Sequence, residues 1–198
     1  MTRNGRHALV LAAGAGSRFG GGKLTADWRG APLVVWAVRA ALAANVERVT
    51  VVIGAAADSV EQALEALAGD RLRVVEAGNW AQGQSASLRA GVGALPRDAR
   101  AVAVFLGDMP SVEPAMADRL LDAVAAGAPA ARLRSAAGPA HPAAFSAEVF
   151  PDLLNLSGDQ GARGLFERLG DAVAIFETDH PGATLDIDRR EDLEPSTD

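Results

Sequence analysis

An apolar run that empties into a loop of glycines constrains this chain more than any other feature. Val10, Leu11, Ala12 and Ala13 show no polar alternation, the pattern of a strand covered on both faces. Gly14, Gly16, Gly20, Gly21 and Gly22 follow, five glycines in nine residues. Glycine in that number costs backbone entropy. Such a loop therefore needs what glycine alone supplies: positive φ and close approach of a ligand to bare backbone. Free N–H groups in a loop of this kind point at anions. Arg18 adds a planar fork and Lys23 a point charge. A polyphosphate is the simplest ligand that wants all of these.

Two named glycine-loop motifs do not fit. The Walker A pattern puts Ser or Thr after Gly-Lys to hold Mg²⁺, but Leu24 follows Gly22-Lys23. The dinucleotide fingerprint Gly-x-Gly-x-x-Gly needs an acid at the end of the next strand. Gly14–Gly20 is one residue too long for it, and the next strand runs into Gly54-Ala55-Ala56 with no acid before Asp58. A plain strand-to-helix turn is the bland alternative, and it has no need of Arg18 and Lys23.

Periodicity predicts alternating strands and helices. Strands are expected at about His7–Ala13, Val49–Ile53, Leu72–Val75 and Ala101–Leu106. Helices are expected from Pro32 to Ala44, from Asp58 or Ser59 to Leu67, from the Gly78–Ser85 loop to Leu95, and over Glu113–Ala126. The second half reads as strands Ala130–Leu133 and Ala143–Phe145, helices Ala147–Leu154 and Ala162–Leu169, a strand Ala172–Glu177 and an extended piece Thr184–Asp188. This alternation predicts an α/β fold, a three-layer α/β/α sandwich on a mainly parallel sheet, with ligands at the carboxyl ends of the strands. Its 198 residues suit one domain over residues 1–198, with a frayed tail at 194–198.

The formal net charge of −6 argues against nucleic acid or a membrane surface as partner, so an anion site must be a local basic pocket. With no cysteine, thiolate chemistry is excluded, and His7, His141 and His180 are too scattered to suggest zinc. Arg3, Arg6 and the apolar run after them imitate a signal peptide only faintly, and a cytoplasmic protein is expected.

Further stretches carry chemistry. Asp108 stands at the mouth of the strand ending at Leu106, a hard oxygen ligand suited to Mg²⁺. Asp186 and Asp188 lie two apart, so on an extended segment both face one way. Gln82–Arg89 opens a helix whose free N–H groups and serines suit a base edge or a phosphate. Each has an ordinary alternative: a turn Asp, a solvated acidic loop, a Ser85 N-cap.

Together these stretches and others resemble the MobA-like nucleotidyltransferases. Leu11-Ala-Ala-Gly14, in place of Leu-Ala-Gly-Gly, resembles the molybdenum cofactor cytidylyltransferase branch. Leu106-Gly-Asp-Met-Pro110, Thr184–Asp188, Gly83–Leu88, His141-Pro142 and Gly158-Asp-Gln-Gly-Ala-Arg163 resemble further family signatures. The resemblance implies a Rossmann-like nucleotidyltransferase fold and transfer of a nucleoside monophosphate. An acceptor phosphate, on molybdopterin, attacks the α-phosphorus of an NTP, with CTP favoured over GTP, and pyrophosphate leaves.

On that resemblance Leu11, Ala12, Ala13, Gly14, Gly16, Ser17 and Gly20 wrap the triphosphate. Arg18 and Lys23 stabilise the departing pyrophosphate. Gly83, Ser85 and Ser87 read the base. Asp108 and Asp188, with Asp186 in support, hold Mg²⁺ or Mn²⁺, while His141, Asp159 and Arg163 receive the acceptor. A molybdoenzyme or its chaperone is the implied recipient of the product. The chain departs from the family at Arg189-Arg190, where Thr-Pro is usual, at Gln84 in place of Met, and in the glycine missing before His141. Three rivals stay open: another small-phosphate nucleotidyltransferase (a sugar-phosphate or methylerythritol-phosphate enzyme), a catalytically silent nucleotide-binding delivery protein, and a redox enzyme on a Rossmann sheet.

Overall fold

Strands too apolar to face water form the middle of a seven-stranded sheet. A computed structural model describes residues 3–159 and 161–193. The strands are β1 (Arg6–Ala12), the short hairpin pair β2 (Asp27–Trp28) and β3 (Ala31–Pro32), β4 (Arg48–Ile53), β5 (Leu72–Glu76), β6 (Ala101–Leu106), β7 (Ala130–Ser135), β8 (Gly138–Ser146) and β9 (Ala174–Glu177). The helices are α1 (Leu33–Ala43), α2 (Ala57–Leu64), α3 (Gln84–Gly93), α4 (Pro114–Ala125), α5 (Phe150–Leu154) and α6 (Arg163–Leu169).

The main sheet runs in the order β5-β4-β1-β6-β8-β7-β9. Its one antiparallel member is β8, joined to β7 by a two-residue turn at Ala136-Ala137. Alternation along β1 sorts the core. Ala8, Val10 and Ala12 face α1, α2 and α4 on one side, and Leu9 faces α3, α5 and α6 on the other. Three layers result, as the sequence leads one to expect. Small residues let the layers close up: a Cβ on Gly91 of α3 would lie 2.9 Å from side-chain carbons of Leu9 and Val52.

From β1 the chain proceeds outward through β4 to β5, then returns to place β6 on the other side of β1. The order therefore reverses at β1, and the crevice beyond its carboxyl end is where open α/β sheets take ligands. The glycine loop after β1 and Asp108 after β6 meet there.

Two expectations need correction. The second-half strand expected at Ala143–Phe145 extends over Gly138–Ser146. Thr184–Asp188, expected to be an extended piece, joins no sheet; among its contacts, the Ile187 N–H donates to the Asp108 carbonyl at 3.2 Å and ties it to the end of β6. The tail expected to fray lies outside the described residues. No helix among the described residues is long and apolar enough to cross a membrane.

Candidate active site

After β1 the chain doubles back so closely that Gly16, at φ 58°, has no room for a side chain. A Cβ there would stand 2.8 Å from the Cβ of Lys23. Lys23 thereby passes beneath the loop with its side chain only 8% exposed. Its Nζ lies 2.7 Å from Asp108 Oδ2, 3.1 Å from Asp188 Oδ1 and 3.4 Å from Asp186 Oδ1. Arg18 Nη1 stands 2.6 Å from Asp188 Oδ2.

Each acid is held by its own backbone. The Gly107 N–H donates to the Leu11 carbonyl at 2.9 Å, which continues the β1–β6 pairing up to Asp108. Ile187 is fully buried with Phe19, Trp28 and Leu33, which turns Asp186 and Asp188 on either side of it towards Lys23. The Asp192 carboxylate accepts the N–H groups of Asp188 and Arg189 at 2.8 and 2.7 Å.

Burial lowers the Lys23 pKa, but hydrogen bonds and charge from Asp108, Asp188 and Asp186 outweigh it and hold the ammonium above the usual lysine range. Burial, then the charge of Asp108, pushes Asp186 up. Hydrogen bonds from Arg18 and then Lys23 hold Asp188 down. Three carboxylates face two cations, which leaves the cluster open to a further positive charge.

No set of three or more His, Asp or Glu among the described residues encloses a metal by itself. Asp108 and Asp188 nevertheless converge on one cation, Lys23. Mg²⁺ keeps several waters and takes phosphate oxygens beside one or two carboxylates. The pair therefore suits a divalent ion shared with a nucleotide.

The cluster borders a cavity of about 680 Å³, with Gly14, Ser17 and Arg18 on one wall and Trp80, Gly83 and Ser87 on the other. Among the described residues, no hydrogen bond engages the backbone N–H of residues 14–18, so five donors remain for a ligand. Gly83, at φ 104°, lets α3 start against the 157–159 loop, where a Cβ would lie 2.9 Å from Asp159 Oδ1 and the Gly158 carbonyl. The Asp159 carboxylate accepts the Gln84 N–H at 3.2 Å.

Several expected residues sit elsewhere than the resemblance implied. Ser85 is fully buried and donates its hydroxyl to the Ser157 carbonyl at 3.3 Å, so it ties the start of α3 to the 157–159 loop and lines neither this cavity nor the smaller one beside it. Ala12 faces the opposite core. Asp159 borders the larger cavity as a cap on α3 and does not line the smaller space that His141 and Arg163 share. Leu11 and Ala13 do line the large cavity, while Gly16 and Gly20 shape the loop behind it.

A smaller chamber of about 190 Å³ shares Leu11, Gln84 and Leu106 with the first, and His141 and Arg163 line it. The β7–β8 register skips between Ala140 and Ala143, leaving His141 and Pro142 in a bulge. Bulges re-aim side chains beside active sites. Burial pushes the His141 pKa down against the pull of Asp108.

Sequence reasoning missed Trp80 and Arg132, each lining one of the two spaces. A tryptophan in a polar loop and an arginine between Ala131 and Leu133 were the available signals.

A family model described as the MobA-like NTP transferase domain matches residues 8–173. The chain is 37% identical over 127 residues to the 2-C-methyl-D-erythritol 4-phosphate cytidylyltransferase of Synechococcus sp. (strain CC9902), covering 62% of this chain and 54% of that protein. It thus spans about half the length of the curated relatives it matches. Rv0371c from Mycobacterium tuberculosis H37Rv superposes with a TM-score of 0.83 at 30% identity, covering 96% of each chain. A structure of that protein is a complex with manganese (TM-score 0.77, 28% identity, 97% of this chain and 96% of that one). A nucleotidyl transferase from Methanothermobacter superposes with a TM-score of 0.78 at 30% identity, over 94% of this chain and 93% of that one. With the match running from β1 nearly to β9 and through both sides of the cleft, this chain belongs to the MobA-like NTP transferase domain family.

Proposed function

We propose that this protein transfers CMP from CTP to the terminal phosphate of molybdopterin or its molybdenum-loaded form and releases pyrophosphate. The observation that carries the reading is the convergence of Lys23, Arg18, Asp108 and Asp188 at the lip of the glycine-loop cavity. An acceptor phosphate oxygen attacks the α-phosphorus, a new P–O bond forms, and the bond to the bridging α–β oxygen breaks. Both electrons of that bond leave with pyrophosphate, and no covalent enzyme intermediate is required.

The free amides of residues 14–18, with Arg18, receive the β- and γ-phosphates. Lys23 holds its proton firmly and so keeps a positive charge where the leaving group gains a negative one. Gly83, Ser87 and Trp80 form the wall opposite the phosphates, where the base rests. His141, neutral because burial lowers its pKa, and Arg163 border the acceptor side. Asp108 and Asp188 would hold Mg²⁺ or Mn²⁺; when bound, that ion neutralises charge on the phosphates. Rate enhancement then comes from positioning and charge stabilisation. A molybdoenzyme or its chaperone would receive the product.

A second reading has an observation in its favour: the curated relative in Synechococcus is named for methylerythritol phosphate. Purified protein given CTP or GTP, Mg²⁺, and either molybdopterin or 2-C-methylerythritol 4-phosphate separates the readings. Pyrophosphate release with CTP and molybdopterin alone is the expected result. Release only with methylerythritol phosphate favours the second reading, and release with neither favours a silent delivery protein. Asp108→Asn is expected to lower kcat/KM by about 10²–10³.

A further inference from the structure

The smaller chamber holds two polar groups that the fold leaves unpaired. Arg132 Nε and His141 Nδ1 are both shut off from solvent with no hydrogen-bond partner among the described residues. Neighbouring arginines have their acids: Arg134 pairs with Glu177, Arg163 with Glu167 and Arg168 with Asp152. No carboxylate within the described residues pairs with Arg132; its guanidinium carbon instead sits 5.0 Å from the centre of the Phe166 ring. The walls around it are apolar, from Leu88, Val104 and Phe145. Donors left unpaired in such a space destabilise a fold, and each calls for an explanation.

Register fixes how deep Arg132 lies. It stands opposite Ala143, which stands opposite Val104 of β6. Asp108 is four residues beyond Val104, or about 13 Å along an extended chain. His141 sits between these levels. The chamber therefore runs from Leu11 and Leu106, which it shares with the larger cavity beside Asp108, past His141 to Arg132 at the end away from Asp108. Its 190 Å³ is roughly the liquid volume of six waters, enough for one flat bicyclic ring.

We infer that Arg132 is an acceptor-specificity residue: it receives the far end of the acceptor, a flat heterocycle presenting two adjacent hydrogen-bond acceptors. This inference rests on the nucleotidyl-transfer reading and names the acceptor class for it. A guanidinium fork matches two neighbouring acceptor atoms on a ring edge, as it does on the O6/N7 edge of guanine. The O4/N5 edge of an oxidised pterin, such as 6-hydroxymethylpterin, has the same pattern. A short polyol phosphate would leave Arg132 unpaired at the inner end.

The test uses 6-hydroxymethylpterin, a phosphate-free probe, with binding followed by its own fluorescence in wild type, Arg132→Met and Arg132→Lys. Wild type is expected to bind it, and Arg132→Met to bind about tenfold or more weakly. Lysine, which lacks the fork, should restore little. The KM for CTP should hold in both variants and the Tm should not fall, which a merely structural role for Arg132 would not allow. Equal binding to wild type and Arg132→Met, no binding to wild type, or a matching loss of CTP affinity overturns the inference. Turnover with molybdopterin is scored separately. Pterin binding that depends on Arg132 without any pyrophosphate release would sink the transfer reading and leave Arg132 only as a ring-binding residue.

Discussion

Lys23 satisfies three carboxylates with a single ammonium, and a divalent ion on Asp108 and Asp188 would compete for the same oxygens. Removing the competitor should therefore favour the ion. Lys23→Met is expected to bind Mn²⁺ about tenfold more tightly than wild type without nucleotide, while binding CTP more weakly. Paramagnetic resonance titration of free Mn²⁺ measures the first; weaker Mn²⁺ binding in the variant would contradict the competition.

Titration adds a second prediction. Burial lowers both His7 and His141, so the unfolded chain takes up protons at about pH 6.5 while the fold still resists them. Stability from these groups is present above that pH and is lost below it, until the depressed folded values are reached. Asp188 acts in the same direction at lower pH, and Asp186, raised by burial, opposes it. Calorimetry should give a lower Tm at pH 5.5 than at 7.5, with a smaller drop in His141→Gln; an unchanged Tm would contradict the assignment. Arg18, Lys23 and Asp108 were legible because offsets within a short loop carry their chemistry. Arg132 was not, because only the register of β7 on β8 and of β8 on β6 brings it to the chamber.

Among the elements, β1, β4 and β6 announce themselves, since strands covered on both faces need unbroken apolar runs. β8 conceals itself behind Pro139 and Pro142, which argue against a strand. The sheet accommodates Pro142 because it falls in the bulge, and β6 pairs only with residues 143–146. The start of α3 likewise borrows its cap from Asp159, some 75 positions away, which no local pattern reveals. Gly83 makes that junction. Its backbone, at φ 104° and ψ 179°, is close to glycine-only territory, so Gly83→Ala should cost about 1–3 kcal/mol and raise the KM for CTP. Urea unfolding measures the first effect, and an unchanged midpoint would show that the junction tolerates a side chain.

Across the whole molecule, alternating strands and helices made the three-layer architecture legible, and the reversal of strand order at β1 fixed where the cleft would lie. Charge follows the same division of labour: a protein of net charge −6 gathers Arg18 and Lys23 at one cleft and surrounds them with acids. A cleft so arranged should bind a nucleotide triphosphate only when a divalent ion offsets the repulsion from Asp108, Asp186 and Asp188. Calorimetric titration of CTP into wild type and Asp108→Asn, with Mg²⁺ and with EDTA, tests this most directly. Tight binding by wild type with Mg²⁺, lost in EDTA and weakened in Asp108→Asn, is the predicted result; equal CTP affinity under all four conditions would contradict it.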